Sequence, residues 1–443
     1  MRHTFLLICL CLAPVRAASL NSGNLNPAVQ AVVDAVSEQR IAAIERKLES
    51  FGTRNLMSSQ DDPEHGIGAA RQWIESQFKS FSPRLEVRQE CHVEKKNLRV
   101  TRDVQLCNVV AELKGTLHPE RYLIVSGHYD SVGMIYRPDG TVDGVATAAA
   151  PLAPGVTDDA SGVAAVMELA RVMSTREYEK SILFVAFAGE EQGLLGSHHM
   201  AAQARQHNLQ IEAMLNNDII GSDIAGNGRK EDSSVRVFSE GPEDSAPRAL
   251  ARYAKEISER YVPSMRMNLV FRADRFGRGG DHSPFASVGF AAVRLTSTEE
   301  NYANQHTPND TFANTSSAYA TRVARMNGAV LAALALAPRP PVVMRAGSGG
   351  RMLPMLTRGK SGYDAALQWT YDQPESDLAG FVIVMRDSTS PAWQRQIAVG
   401  DVRQFVLPDV SIDDIVIGVK AVDRDGNESL VSAYAIAPFQ AQR

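Results

Sequence analysis

The run Ser181-Ile182-Leu183-Phe184-Val185-Ala186-Phe187-Ala188-Gly189 carries no charge and stops at two adjacent carboxylates, Glu190 and Glu191. An apolar run of this length, closed by glycine, reads as a strand buried on both faces, and such strands belong to parallel or mixed sheets covered by helices. The carboxyl end of such a strand is where open α/β sheets hold their ligands. Two carboxylates side by side at a buried position are costly unless positive charge compensates them. A metal ion is the most compact compensation, with one glutamate as ligand and the other free to move protons. That reading requires further ligands at other strand ends.

The rest of the chain supplies the matching elements. Helical apolar spacing runs over Ala28–Phe51, Ala69–Phe81, Val163–Met173, Leu194–Gln206, Pro247–Tyr261 and Ser317–Leu336. Strands are expected at Leu85–Val87, Asn108–Leu113, Tyr122–Ser126, Met214–Ile220 and Gly289–Leu295. Alternation of the two types predicts an α/β domain, a mixed and mostly parallel sheet flanked by helices on both faces. Ala337-Pro338-Arg339-Pro340-Pro341 is a stiff linker. Beyond it the period changes to two. Ala366–Trp369, Gly380–Val384, Gln404–Leu407 and Ile415–Val419 read as strands of a C-terminal β-sandwich, and the Leu-x-Trp, Gly-Phe-x-Val and Val-x-Ala-Val-Asp pieces resemble a fibronectin type III module. The expected organisation is a signal peptide over 1–17, a catalytic domain over 18–337, and linker plus β-sandwich over 338–443.

The signal peptide is read from a basic start at Arg2 and His3, an apolar core from Phe5 to Val15, and Val15-Arg16-Ala17 before the cut. It is too short to span a membrane, and it predicts export to a periplasmic or extracellular space. Cys9 and Cys11 would leave with it. Cys91 and Cys107 remain, and an exported protein is expected to pair them, through a hairpin around Lys95-Lys96-Asn97; two buried free thiols are the alternative. A net charge of -5 gives no argument for nucleic acid or an anionic membrane as partner. Oligomeric state is not legible.

Potential ligands lie near the predicted strand ends or in loops: His128 and Asp130, Asp158 and Asp159, Glu190 and Glu191, Asp218, and His306. Singly, each has a structural alternative, since an Asp before a helix is usually a cap and one after a strand a turn residue. Together, two imidazoles and several carboxylates without a thiolate suit zinc in a hydrolytic site, and related divalent metals could also fit.

His128-Tyr129-Asp130-Ser131, Thr157-Asp158-Asp159-Ala160-Ser161-Gly162, Phe187-Ala188-Gly189-Glu190-Glu191-Gln192-Gly193, Asn217-Asp218-Ile219-Ile220-Gly221 and His306-Thr307-Pro308-Asn309-Asp310-Thr311 together resemble the co-catalytic zinc metallopeptidase family 28. The resemblance covers most of residues 100–335. It implies two zinc ions per chain: His128 and Asp218 would hold one, Glu191 and His306 the other, and Asp158 would bridge them. Asp159 would be a cap or support, and Asp130 would accept a hydrogen bond from His128. Glu190 would be the general base. The implied activity is hydrolysis of peptide substrates as an exopeptidase of the secreted bacterial aminopeptidase type. A carboxypeptidase or dipeptidase shares the same metal site. A glutaminyl cyclase is less expected, because cyclases work with one zinc and lack part of the ligand set. A binding protein with a relic enzyme domain is disfavoured by the complete set.

Other residues are weaker candidates. His198-His199 is a helical pair beyond the glutamates. Gly280-Asp281-His282 stands where the family usually has Ser-Asp-His. Arg272, Arg275 and Arg278 flank that segment as candidates for a substrate carboxylate. Tyr302 is an oxyanion candidate, although Gln305 stands before His306 where some members have tyrosine. The Ala/Gly/Pro loop Ser131–Val156 either rims the pocket or is slack surface.

Overall fold

The computed structural model describes residues 25–148, 152–274, 278–347, 352–372 and 375–435. The signal-peptide expectation and Arg275 lie outside the described residues. The chain opens with helices α1 (Pro27–Ala35), α2 (Glu38–Ser50) and α3 (Gly66–Phe81). The single helix expected over Ala28–Phe51 is two. Val36 and Ser37 turn extended, and the Ser37 hydroxyl accepts from the Arg40 N–H, capping α2.

Next come β1 (Leu85–Glu94), β2 (Val104–Leu113), β3 (His118–His128), α4 (Gly144–Ala148), α5 (Ser161–Met173), β4 (Lys180–Phe187), α6 (Leu195–Gln206) and β5 (Gln210–Asn217). They are followed by β6 (Ser234–Phe238), α7 (Ala246–Tyr261), β7 (Arg266–Val270), α8 (His282–Ser287), β8 (Ala292–Ser297) and α9 (Ser317–Leu336). The strands make one sheet in the order β1-β2-β4-β3-β5-β8-β6-β7. At its centre β4, β3, β5 and β8 run parallel, so their carboxyl ends share one edge. Strands β6 and β7 were not foreseen. Their signal was a short alternation, with Val235 and Val237 buried on either side of Arg236.

Strand β4 shows why the sheet needs two covers. Ile182, Phe184 and Ala186 enter the core shared with the N-terminal helices, α5, α7 and α9. Leu183, Val185 and Phe187 enter a second core with Met200 of α6 and Phe285 of α8. Each large apolar side chain so buried contributes roughly 1.5–3 kcal/mol. In the β1–β2 hairpin Cys91 lies opposite Cys107, and the two form the expected disulfide.

Past the linker, β9 (Met344–Ala346) pairs with β10 (Met352–Pro354). Strands β11 (Leu356–Thr357), β12 (Ala365–Gln368), β13 (Leu378–Asp387), β14 (Arg395–Gly400), β15 (Gln404–Leu407), β16 (Ile415–Asp423) and β17 (Ser432–Ala433) form two antiparallel sheets, β11-β12-β15 and β14-β13-β16-β17. Both contribute to a core of Leu367, Trp369, Phe381, Ile383 and Val419. These sheets dock on the α/β unit through paired charges. Arg386 donates to Glu243 and Asp244 before α7, Lys420 to Glu256 within α7, and Arg121 at the start of β3 to Glu375. The last contact is at the end of β3 opposite His128, ~20 Å away at strand rise. Among the described residues no helix is long and apolar enough to cross a membrane.

Candidate metal centre

The shared carboxyl edge gathers the side chains singled out in the sequence. His128 ends β3, Glu190 and Glu191 follow β4, and Asp218 follows β5. Asp158 stands in the turn before α5, and His306 in the loop after β8. Among the described residues donor atoms converge in two triads that share Asp158, His128/Asp158/Asp218 and Asp158/Glu191/His306, and in a third, His128/Glu190/Glu191. The His128 Nε2 lies 3.1 Å from Asp158 Oδ1 and 3.9 Å from Asp218 Oδ1. The His306 Nε2 lies 3.1 Å from Asp158 Oδ2 and 3.2 Å from Glu191 Oε2. Asp158 therefore turns one oxygen to each imidazole. Glu190 faces the His128 side and is absent from the His306 triad.

Neighbouring groups hold these side chains in place. The Asp130 carboxylate accepts from the main-chain N–H of Glu190 at 3.3 Å and of Glu191 at 3.2 Å. The His128 Nδ1 is 3.2 Å from the Asp130 carbonyl and 3.6 Å from its carboxylate. A proton on Nδ1 leaves the Nε2 lone pair facing Asp158. Asp130 thus also positions the glutamate pair, a role the sequence did not suggest. Asp159, joined to Asp158 by a cis peptide, accepts from the N–H groups of His128, Gly162 and Ile219 at 3.0–3.1 Å. Gly162 has to be glycine, since a Cβ there would lie 2.4 Å from Asp159 Oδ2. Asp310 is buried and accepts from the N–H groups of Thr157 and Asp158 at 2.8 and 3.0 Å, tying the His306 loop to the Asp158 turn.

Two supporting residues were missed in the sequence. Arg54 is fully buried and donates to the carbonyls of Tyr129, Leu48, Pro154 and Gly155, clamping the segments that carry His128 and Asp158. Buried Asn108 of β2 bridges Ala188 and Gly196, bracketing the glutamates. Neither carries a sequence signal, because each acts on carbonyls or amides remote in the chain.

The electrostatics of the cluster demand a cation. Burial opposes protonation of His128, but Asp130 and Asp158 outweigh it and hold the imidazole well above its ordinary pKa. His306 is likewise raised, with Glu191 and Asp158 overcoming burial. Burial would raise Asp158, yet its bonds to His128 and His306 hold it well below the usual carboxylate range. Burial lifts Glu190 strongly, and the Asp218 and Glu191 charges add to it against His128. The imidazoles are thus driven to carry positive charge that a divalent metal would otherwise supply. Glu191 Oε1 is buried without a hydrogen-bond partner. An all-nitrogen-and-oxygen donor set with one such orphaned oxygen fits zinc.

The weaker candidates fall elsewhere. His199 stacks on His92 with ring centroids 4.1 Å apart, and neither His198 nor His199 joins a potential metal cluster among the described residues. The Tyr302 hydroxyl points to Glu300 at 3.5 Å. Arg278 also engages Glu300, and Arg272 lies over the Phe238 ring. The described part of the 131–156 loop is tied to the site: the Met134 N–H donates to the His306 carbonyl at 3.2 Å, and Val132, Met134 and Thr147 line a small cleft with Glu191.

The profile of Peptidase family M28 matches residues 108–331, the span that holds both triads. The chain belongs to that family. A probable zinc metalloprotease of Pyricularia oryzae is 37% identical over 440 residues, covering 90% of this chain and 83% of its own. Another from Leptosphaeria maculans is 34% identical, covering 93% and 96%. This M28 chain is therefore a zinc metallopeptidase, and these relatives are fungal. Among solved structures, LapB from Legionella pneumophila superposes with a TM-score of 0.54 at 20% identity, covering 71% of this chain and 76% of its own. An aminopeptidase from Aneurinibacillus sp. strain AM-1 gives 0.50 at 17%, covering 68% and 95%. A glutaminyl cyclase from Porphyromonas gingivalis gives 0.51 at 17%, covering 67% and 98%. At these identities the likeness establishes the mostly parallel, helix-covered sheet.

Proposed function

We propose that this M28 metallopeptidase is an exported two-zinc aminopeptidase that releases N-terminal residues from peptides. The observation that carries the metal count is Asp158, whose two oxygens each lie 3.1 Å from a different imidazole. His128 and Asp218 would hold one zinc, Glu191 and His306 the other, with Asp158 between them. Bound zinc would acidify a water and polarise the scissile carbonyl. Glu190, on the His128 side and outside the His306 triad, is the group free to take that water's proton and pass it to the leaving amine. Asp130 aims Glu190 and Glu191 through their main-chain N–H groups and orients His128. Arg54, Asp159 and Asp310 keep the strand ends in register while that proton moves.

Aminopeptidase polarity is favoured by the fold shared with the Aneurinibacillus aminopeptidase. The organisation that accompanies this reading is a signal peptide over 1–17, a peptidase unit over 18–337 and a fibronectin type III-like unit over 338–443. Chromogenic aminoacyl anilides, alone and N-acetylated, test the polarity. The free-amine substrates should turn over, the acetylated ones should not, and chelator should abolish the reaction. Turnover of acetylated substrates with a free carboxyl terminus would instead indicate a carboxypeptidase. The likeness to a glutaminyl cyclase supplies a second reading. It predicts cyclisation of an N-terminal glutaminyl peptide by protein holding one zinc per chain.

A further inference from the structure

We infer that Arg294 is a positioning residue of the metal centre: it holds the outer oxygen of Asp218 and fixes which oxygen that carboxylate presents beside His128. The inference rests on the two-triad reading above. Arg294 lies on β8 and is 1% exposed, among the largest fully buried side chains. Its Nε is 3.1 Å from Asp218 Oδ2, an ion-pair approach without hydrogen-bond geometry, while Oδ1 is the oxygen that faces His128 Nε2. Its Nη1 donates to the Gly279 carbonyl at 2.7 Å and to Asp274 at 3.1 Å, so the guanidinium is fixed from both sides.

Glycine at position 280 makes the approach possible. A Cβ there would lie 2.8 Å from Asp218 Oδ2 and 3.0 Å from Arg294 Cδ. The family segment usually has serine at this place, and the departure now has a physical reason: a side chain at 280 and a guanidinium on Asp218 compete for one space. The network continues from Asp274 to Arg278 at 3.7 Å, and from Arg278 to Glu300 at 2.6 Å. Glu300 accepts from Gln305, the residue before His306, at 3.0 Å. One chain of alternating charges therefore runs from a residue of the first triad to the loop that carries the second.

A buried guanidinium is a poor stabiliser for its own sake, because desolvation offsets most of the ion-pair attraction. Its placement on a ligand carboxylate suits the other use of such contacts, orienting the ligand and tuning its donor strength. The test is a cobalt(II) titration of the full-length, metal-free protein, followed by visible absorption. Wild type should take up two ions. Arg294→Met should lose about 10–100-fold in affinity at one site, with altered bands for that site only. A folded Arg294→Met protein with wild-type affinity and spectrum at both sites would overturn the assignment. Should Arg294→Met not fold, Gly280→Ser alone decides. It should weaken the same site by crowding Asp218 and Arg294, and unchanged binding refutes the role. Wild type that takes up no cobalt refutes the two-triad reading itself, a separate failure.

Discussion

Replacing Glu45 with glutamine should stabilise the protein, and more so as pH rises. Glu45 sits on α2 with no exposed surface; one carboxylate oxygen accepts from the Ser317 hydroxyl, and the other has no partner. Burial lifts its pKa from 4.5 to about 8, against the opposing pull of Ser317 and Arg46. In the unfolded chain the carboxyl ionises near 4.5, whereas the folded protein keeps its proton until about pH 8. Between those values the unfolded chain binds fewer protons, so stability falls as pH rises. The contribution is intact below the unfolded pKa and is lost progressively up to the folded one. At 1.36 kcal/mol per tenfold change in proton affinity, the loss amounts to ~3 kcal/mol at pH 7 and ~4 at pH 8. Glutamine has nearly the same shape and cannot ionise. Urea unfolding of both proteins at pH 5, 7 and 8 reads the difference. The advantage of Glu45→Gln should grow from about 1 kcal/mol to about 4 across that range. A gap that does not change with pH would refute the reasoning.

Three further outcomes are expected. Arg54→Met should lower stability by ~4 kcal/mol or more, since it strips partners from several buried carbonyls at about 1–3 kcal/mol each; Arg54→Lys should recover only part in the same urea titration, because one ammonium cannot span them. Loading zinc at pH 7 in weak buffer should release protons, because His128 and His306 are pushed toward the protonated form by their carboxylate neighbours and must give up a proton to coordinate; zinc uptake without a pH change would contradict that. Glu190→Gln should lose turnover on aminoacyl anilides while keeping its zinc by elemental analysis, whereas Glu191→Gln should lose zinc; the reverse pattern would exchange their roles.

Part of the site was legible because His128 ends β3, the Glu190-Glu191 pair follows Phe187 at the end of β4 within a few residues, and Asp218 follows Asn217 at the end of β5. Local spacing therefore stood in for spatial proximity. The helix-covered sheet was legible for the same reason, through the apolar period of β4 and α5. What sequence could not show was built by distant partners. Arg54 meets carbonyls about a hundred positions away, and Arg294 lies against Asp218 where position 280 lacks a side chain. Strands β6 and β7 are five residues each, too short for a period to stand out. The break between α1 and α2 rests on one capping serine inside an otherwise continuous helical period.

The central claim is that two metal ions sit on either side of Asp158. Diffraction from crystals of the zinc-loaded protein, collected at the zinc absorption edge, tests it directly. The account predicts two anomalous peaks per chain, one contacted by His128 and Asp218, the other by Glu191 and His306, and both by Asp158. A single peak, or a second one placed away from His306, would contradict it.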